Sequence, residues 1–278
     1  MVYKKLHLKD YYSNLGNNGA DPTLELYLPY NMSEMNRQDQ KRPCMVVCPG
    51  GGYGMCSQRE AEPIAFHFLP QGFNVFLLTY SVAPHRFPTQ ICEVAAVIDL
   101  IYKNADNWNC DTEKIAIIGF SAGGHLAAHY STMFDCKEVR EQFPESKNVN
   151  ASVLCYPVIT ADPQYSHKGS FENLLGHYPQ EKWEQELFSC NCNVKENTPP
   201  AFIWHTSEDT CVPMENSLLY AGALRKYKIP VELHIYPFGV HGLSTCDSQT
   251  IDNPTEVHEY NNIWLSSLER WLKLIFKL

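Results

Sequence analysis

Six short apolar runs, at residues 44–48, 73–79, 115–118, 152–155, 201–204 and 231–236, most constrain what this chain can fold into. They are rich in β-branched and aromatic side chains and read as continuous rather than alternating. A strand with one wet face alternates apolar and polar residues, so a continuous run demands cover on both faces. Between the runs, segments 59–69, 89–103, 122–134, 215–226 and 257–276 carry apolar residues three and four apart, a spacing that predicts helices. Buried strands alternating with helices imply a mainly parallel central sheet with helices on both faces, the α/β class. An alternating stretch at 23–28 reads as an outer strand of that sheet.

A chain of 278 residues leaves room for one large domain or two small ones. One sheet needs one core, so a single domain over residues 1–278 is expected. Residues 157–200, rich in Pro, Asn and Glu and without a clear strand, read as a cap-like insertion lying over the sheet's edge. Hydrophobic residues at 44% and charged residues at 19% match ordinary globular usage and argue against disorder. The net charge of −9 repels a phosphate backbone and an anionic bilayer, so neither nucleic acid nor a membrane is an expected partner. The C-terminal pattern of Ile263, Trp264, Leu268, Trp271, Leu272 and Ile275 reads as a helix packed on the sheet. Eleven cysteines lack paired CxxC spacing, which argues against a zinc site or a disulfide framework. With no apolar run after Lys4 and Lys5 to suggest a signal peptide, a cytoplasmic protein with reduced thiols is expected.

The chemistry centres on Gly119-Phe120-Ser121-Ala122-Gly123, a GxSxG that follows a buried run and opens a helical one. Glycines at both ends allow a sharp strand-to-helix turn that lifts the Ser121 hydroxyl above the sheet, at a helix N-terminus that favours negative charge. A serine nucleophile needs a base, and the base needs an orienting carboxylate. Asp209 lies just past the run at 201–204, and His241 just past the run at 231–236, on the edge where Ser121 emerges. Glu208 is adjacent but expected to point elsewhere, and His205 and His234 fall inside strands as hydrogen-bonded groups. His125 and His129 are four apart on one helix, yet the glutamate of HExxH is missing, so no metal and no cofactor is expected. Gly50-Gly51-Gly52 after the first buried run can turn backbone N–H groups toward the serine.

Taken together, residues 49–53, Tyr80-Ser81-Val82-Ala83-Pro84 with Phe87-Pro88, residues 119–125, Asp209 with Val212-Pro213, and His241-Gly242 resemble the α/β-hydrolase esterases related to hormone-sensitive lipase. Within that group the sequence is most similar to bacterial carbohydrate acetylesterase-like, or acetylxylan-esterase-like, proteins. The resemblance covers about residues 40–245. It implies the α/β-hydrolase fold, Ser121 as nucleophile, His241 as base, Asp209 as its orienter, and the N–H groups of Gly51, Gly52 and Ala122 as the oxyanion hole. Pro49 stands where the family's HGGG motif usually opens with His, and Phe120 where an acidic residue is common; the backbone donors are untouched by either change.

A serine carboxylesterase removing acetyl or another short acyl group from a small or sugar-based alcohol is therefore expected. A prolyl-oligopeptidase-like peptidase or amidase is the alternative enzyme, and a catalytically silent binding protein the alternative of another class. Glycoside cleavage is disfavoured, because it needs two opposed carboxylates. Asp162, Glu172, Glu181, Glu184, Glu186 and Glu196 give the insertion a polar character suited to a hydroxylated leaving group, and Cys56 and Cys211 are expected to be bystanders. The alcohol half and the oligomeric state, homo-oligomer included, are left open.

Overall fold

The computed structural model describes all 278 residues. Its centre is one eight-stranded sheet of β1 (Val2–His7), β2 (Thr23–Leu28), β3 (Arg42–Cys48), β4 (Asn74–Thr79), β5 (Cys110–Phe120), β6 (Ala151–Cys155), β7 (Ala201–Thr206) and β8 (Val231–Tyr236), in the spatial order β1-β2-β4-β3-β5-β6-β7-β8. Only β2 runs against the others, pairing antiparallel with both β1 and β4. The helices are α1 (Glu62–Phe68), α2 (Thr89–Lys103), α3 (Ala122–Met133), α4 (Lys137–Gln142), α5 (Lys168–Leu175), α6 (Lys182–Phe188), α7 (Glu215–Lys226), α8 (Glu256–Asn261) and α9 (Ile263–Phe276). This is the α/β-hydrolase fold.

Successive residues of a strand point to opposite faces, so the continuous apolar runs feed two cores at once. Val46, Ile115, Ile117 and Leu154 pack with α2, α3 and α7 on one face. Met45, Val47, Ala116, Ile118 and Val153 pack with α1 and α9 on the other. Pairing of β3 with β5 sets Cys48 opposite Gly119, which brings the glycine loop after β3 beside the turn after β5.

Three expectations need correction. The stretch at 23–28 is not the outermost strand, because β1 pairs outside it. The pattern of β1 is hidden because Tyr3, Lys4, Lys5 and His7 are exposed and none of its residues is buried, as suits an edge strand. The run at 231–236 is not buried on both faces: β8 is the opposite edge, and only Tyr236 is fully buried. The helix expected over 257–276 is interrupted at Asn262, where Leu265 N–H bonds to Asn262 O and the Asn262 amide donates to Thr245 O.

Helix α9 closes its core through Trp264, which is fully buried, stacks on Trp204 with centroids 5.0 Å apart, and donates Nε1–H to Ser244 O at 3.1 Å. Removing that ring leaves a cavity the sheet cannot fill, so Trp264→Ala should cost about 3–5 kcal/mol. Leu274 on the same helix is 75% exposed, and its replacement by Ala should stay within about 0.5 kcal/mol. Urea midpoints of the two variants check the contrast, and equal midpoints would refute this account of α9.

Candidate active site

Ser121 occupies the turn between β5 and α3 with φ +53°, a conformation that a residue with a Cβ rarely adopts. The strain is held by packing and backbone hydrogen bonds. A Cβ on Gly123 would run into the carbonyls of Cys48 and Pro49, and one on Gly119 into that of Gly123, so only glycine lets α3 come this close to β3 and β5. Ser121 N–H bonds to Cys155 O at 3.0 Å, while Ser121 O accepts N–H bonds from Val158 and His125.

The hydroxyl then meets a chain of partners from two other strand ends. Ser121 Oγ lies 2.8 Å from His241 Nε2, and His241 Nδ1 lies 2.6 Å from Asp209 Oδ2. A carboxylate only accepts, so Nδ1 carries the proton and Nε2 is left to accept from the serine. Because β6 intervenes between β5 and β7, the residue just after it fills the gap: the Tyr156 ring meets His241 edge-on at 5.0 Å and is itself buried. The Tyr156 hydroxyl donates to Glu60 Oε1 at 2.7 Å and accepts from Ser244 N–H.

Asp209 has a side chain with no exposed surface. Burial raises its pKa, but donors from His205, His241 and Val212 N–H outweigh that and hold the carboxyl well below the usual range. Cys211 N–H also donates to Oδ1. His205, read from sequence only as a strand histidine, is thus part of this network. Its Nε2 faces Val212 O at 2.9 Å as well as Asp209, and a carbonyl only accepts, so Nε2 is the protonated nitrogen and Nδ1 accepts from Ser217. Glu208 points away and takes Gly239 N–H at 3.0 Å.

Gly51 and Gly52 have φ of +124° and +63°, and their N–H groups, like that of Ala122 at the start of α3, make no hydrogen bond within the protein. The loop abuts the serine: a Cβ on Gly50 would sit 3.0 Å from that of Ser121. Glu60 braces it from beneath through Gly50 N–H at 2.8 Å. Tyr53, also at positive φ, is pinned by its hydroxyl to His125 Nδ1 at 2.8 Å, and His125 Nε2 reaches Phe188 O at 3.0 Å. Both ring nitrogens of His125 are therefore engaged, and burial holds its pKa down to about 4. His129 stacks on Phe87 instead. Burial lifts the Cys56 thiol to about 12, which leaves no thiolate at neutral pH, and Cys211 is exposed with a raised pKa.

The insertion packs on the loops that leave β3 and β4 and on α3. Asn173 Nδ2 donates to Gly52 O at 2.9 Å, Leu174 O accepts Phe87 N–H, and Phe171 packs on His125. The residues it turns toward the glycine loop are His167, Ser170 and Asn173. Asp162, Glu172, Glu181, Glu186 and Glu196 are instead exposed, and Glu184 pairs with His177. The polarity expected from carboxylates comes from neutral side chains.

The BD-FAE family model matches residues 24–224. The chain belongs to this family, and is an α/β hydrolase of the esterase type. It is 40% identical over 233 residues to endo-1,4-beta-xylanase B of Butyrivibrio fibrisolvens, covering 80% of this chain and 36% of that protein. It is 34% identical over 236 residues to an acetylxylan esterase of Xylanibacter ruminicola, covering 83% and 45%. The chain thus spans less than half the length of these two relatives. Among solved structures, the acetyl ester-xyloside bifunctional hydrolase from Caldicellulosiruptor lactoaceticus superposes with a TM-score of 0.83 at 33% identity, over 98% of this chain and 96% of that one. The carboxylesterase Cest-2923 from Lactobacillus plantarum gives 0.82 at 26% identity, over 98% and 97%. No helix is long and apolar enough to cross a membrane.

One buried acid behind the glycine loop makes the fold pH-sensitive. Glu93 accepts Ser81 N–H at 2.7 Å and has an unpartnered Oε1, and burial pushes its pKa up to about 7 against an ordinary 4.5. The folded state therefore holds a proton between those values that the unfolded chain has released. Stability from this group is full below pH 4.5 and is lost as pH rises to about 7, at roughly 1.4 kcal/mol per unit. Glu93→Gln removes the titration, so its urea midpoint relative to wild type should rise between pH 5 and pH 8. Parallel profiles would refute the assignment.

Proposed function

We propose that this chain is a serine carboxylesterase that cleaves short acyl, chiefly acetyl, esters of small or sugar-based alcohols through an acyl-enzyme. One observation carries the reading: Ser121, His241 and Asp209 form a continuous hydrogen-bonded chain at 2.8 and 2.6 Å beside three uncommitted backbone N–H groups. Ser121 Oγ attacks the ester carbonyl as His241 Nε2 takes its proton. The developing oxyanion is met by Gly51, Gly52 and Ala122 N–H, donors already in place because the backbone holds them. His241 returns the proton to the departing alcohol oxygen, then activates water against the acyl-serine. Asp209 keeps Nδ1 protonated and stabilises the imidazolium.

The acyl preference follows from what fills the space behind the loop. Tyr53, Tyr80, His125 and Phe171 pack on one another there, all buried, which supports a shallow acyl site. The sugar half rests on relatives named for acetylxylan and acetyl ester hydrolysis. Xylan-chain cleavage is not part of the proposal. Asp209 is committed to two histidines and two N–H groups, and Glu60 to Tyr156 and Gly50, so neither is free to oppose a second carboxyl across a glycosidic bond. All eleven cysteines are free thiols, seven of them buried, which supports a reducing, cytoplasmic setting.

Ser121→Ala should lower turnover of nitrophenyl acetate by ~10³-fold or more with an unchanged circular dichroism spectrum. Asp209→Asn should lower kcat by ~10⁴ and Glu208→Gln only mildly, because Glu208 serves Gly239 rather than a histidine. The opposite ranking would mean that the orienting carboxylate is misassigned.

Chain length tests the acyl side. Burying each extra methylene is worth about 0.8 kcal/mol, so a deep pocket makes kcat/KM rise steadily along a nitrophenyl ester series. Here acetyl should give the highest value. A maximum at octanoyl or beyond overturns the short-acyl reading.

A further inference from the structure

His167, just before α5, brings a second imidazole to the rim of the candidate site. Its Cε1 and the Ser170 Oγ would each lie 3.9 Å from a Cβ on Gly52, the residue that offers a free N–H to the oxyanion. Asn173, one turn further along α5, fastens the helix to Gly52 O at 2.9 Å, so the position of His167 relative to that N–H is fixed. His167 Nδ1 and Ser170 Oγ are 2.8 Å apart, and Nδ1 is the only acceptor within reach of that hydroxyl proton. The tautomer follows: Ser170 donates to Nδ1, and the ring proton sits on Nε2. Nε2 has no partner in the protein and is not among the buried unpartnered atoms, so an N–H donor faces solvent at the mouth of the site.

Burial lowers the pKa of His167, which keeps the ring neutral at pH 7. A neutral donor suits a hydroxyl or ether oxygen rather than a carboxylate. The ester carbonyl is already served by three backbone N–H groups, and an acetyl methyl accepts nothing. What remains within reach of His241 is the alcohol half, since that histidine must protonate the leaving oxygen.

We propose that His167, aimed by Ser170, donates Nε2–H to an oxygen on the alcohol half of the substrate and thereby selects polyhydroxylated alcohols. The inference rests on the serine-esterase reading above and deepens it: His167 is a specificity residue for sugar-borne acyl groups.

The test is a ratio, kcat/KM for mono-acetylated methyl xyloside divided by kcat/KM for nitrophenyl acetate, whose leaving group carries no hydroxyl. Losing one hydrogen bond to a neutral partner should lower that ratio about tenfold in His167→Phe. Most of the change should fall in KM for the xyloside. Ser170→Ala should lower the ratio less, because the ring stays but its tautomer is released, and His167→Gln should restore part of it through its amide N–H. Circular dichroism and melting temperature establish that each variant is folded. An unchanged ratio in folded His167→Phe overturns the inference alone, as does an equal loss on both esters, which would make His167 a brace for the oxyanion loop. A wild type inactive on both esters overturns the esterase reading and this inference with it.

Discussion

The close approach of α3 to β3 and β5 is the constraint on which the site depends. Gly123 lies against the carbonyls of Cys48 and Pro49, and Gly119 against that of Gly123, with no room for a Cβ at either place. That contact forces Ser121 into φ +53°, a strain of about 1–3 kcal/mol held by its backbone bonds to Cys155, Val158 and His125. The same contact brings the start of β3's glycine loop against the serine. The proposed nucleophile and oxyanion donors are thus two consequences of one packing event.

Three buried carboxyls show how local donors decide the charge of an acid taken out of water. Asp209 accepts from two histidines and two backbone N–H groups, and its pKa falls although burial raises it. Glu60 accepts from Gly50 N–H and Tyr156 O–H only, and burial wins. Glu93 has one backbone donor and rises to about 7. Burial raises all three, and hydrogen bonds to the ionised form oppose it in each. The acid beside His241 is the one with most donors.

The insertion gives the site its second wall. Through Asn173 to Gly52 and Phe188 O to His125, it is joined to the glycine loop and to α3. His125 is therefore a link between Tyr53 and α6, and the two histidines four apart on α3 are explained by packing rather than by ligation. This is also where reading the sequence stopped short. His205, His125 and His167 each lie in segments whose local pattern records only burial or polarity, and their partners are 3 to 72 residues away. Edge strands are hard to read for a related reason: β1 and β8 have few buried neighbours to impose a pattern.

What the sequence by itself determined is the set of features written in local spacing. Continuous apolar runs demanded a sheet covered on both faces, GxSxG between a strand and a helix demanded a tight turn, and Ser121, Asp209 and His241, in that chain order just past the ends of parallel strands, fell on one edge. Only the tertiary structure decided which strands are neighbours. Setting β3 beside β5 brought Gly51 and Gly52 to Ser121, and β6 between β5 and β7 made Tyr156 the support under His241. It also decided where the insertion lies, and so that His167 rather than a glutamate faces the glycine loop. Local spacing specifies how a segment can satisfy its own backbone and which face it buries, whereas the neighbour of a side chain depends on the whole set of competing packings.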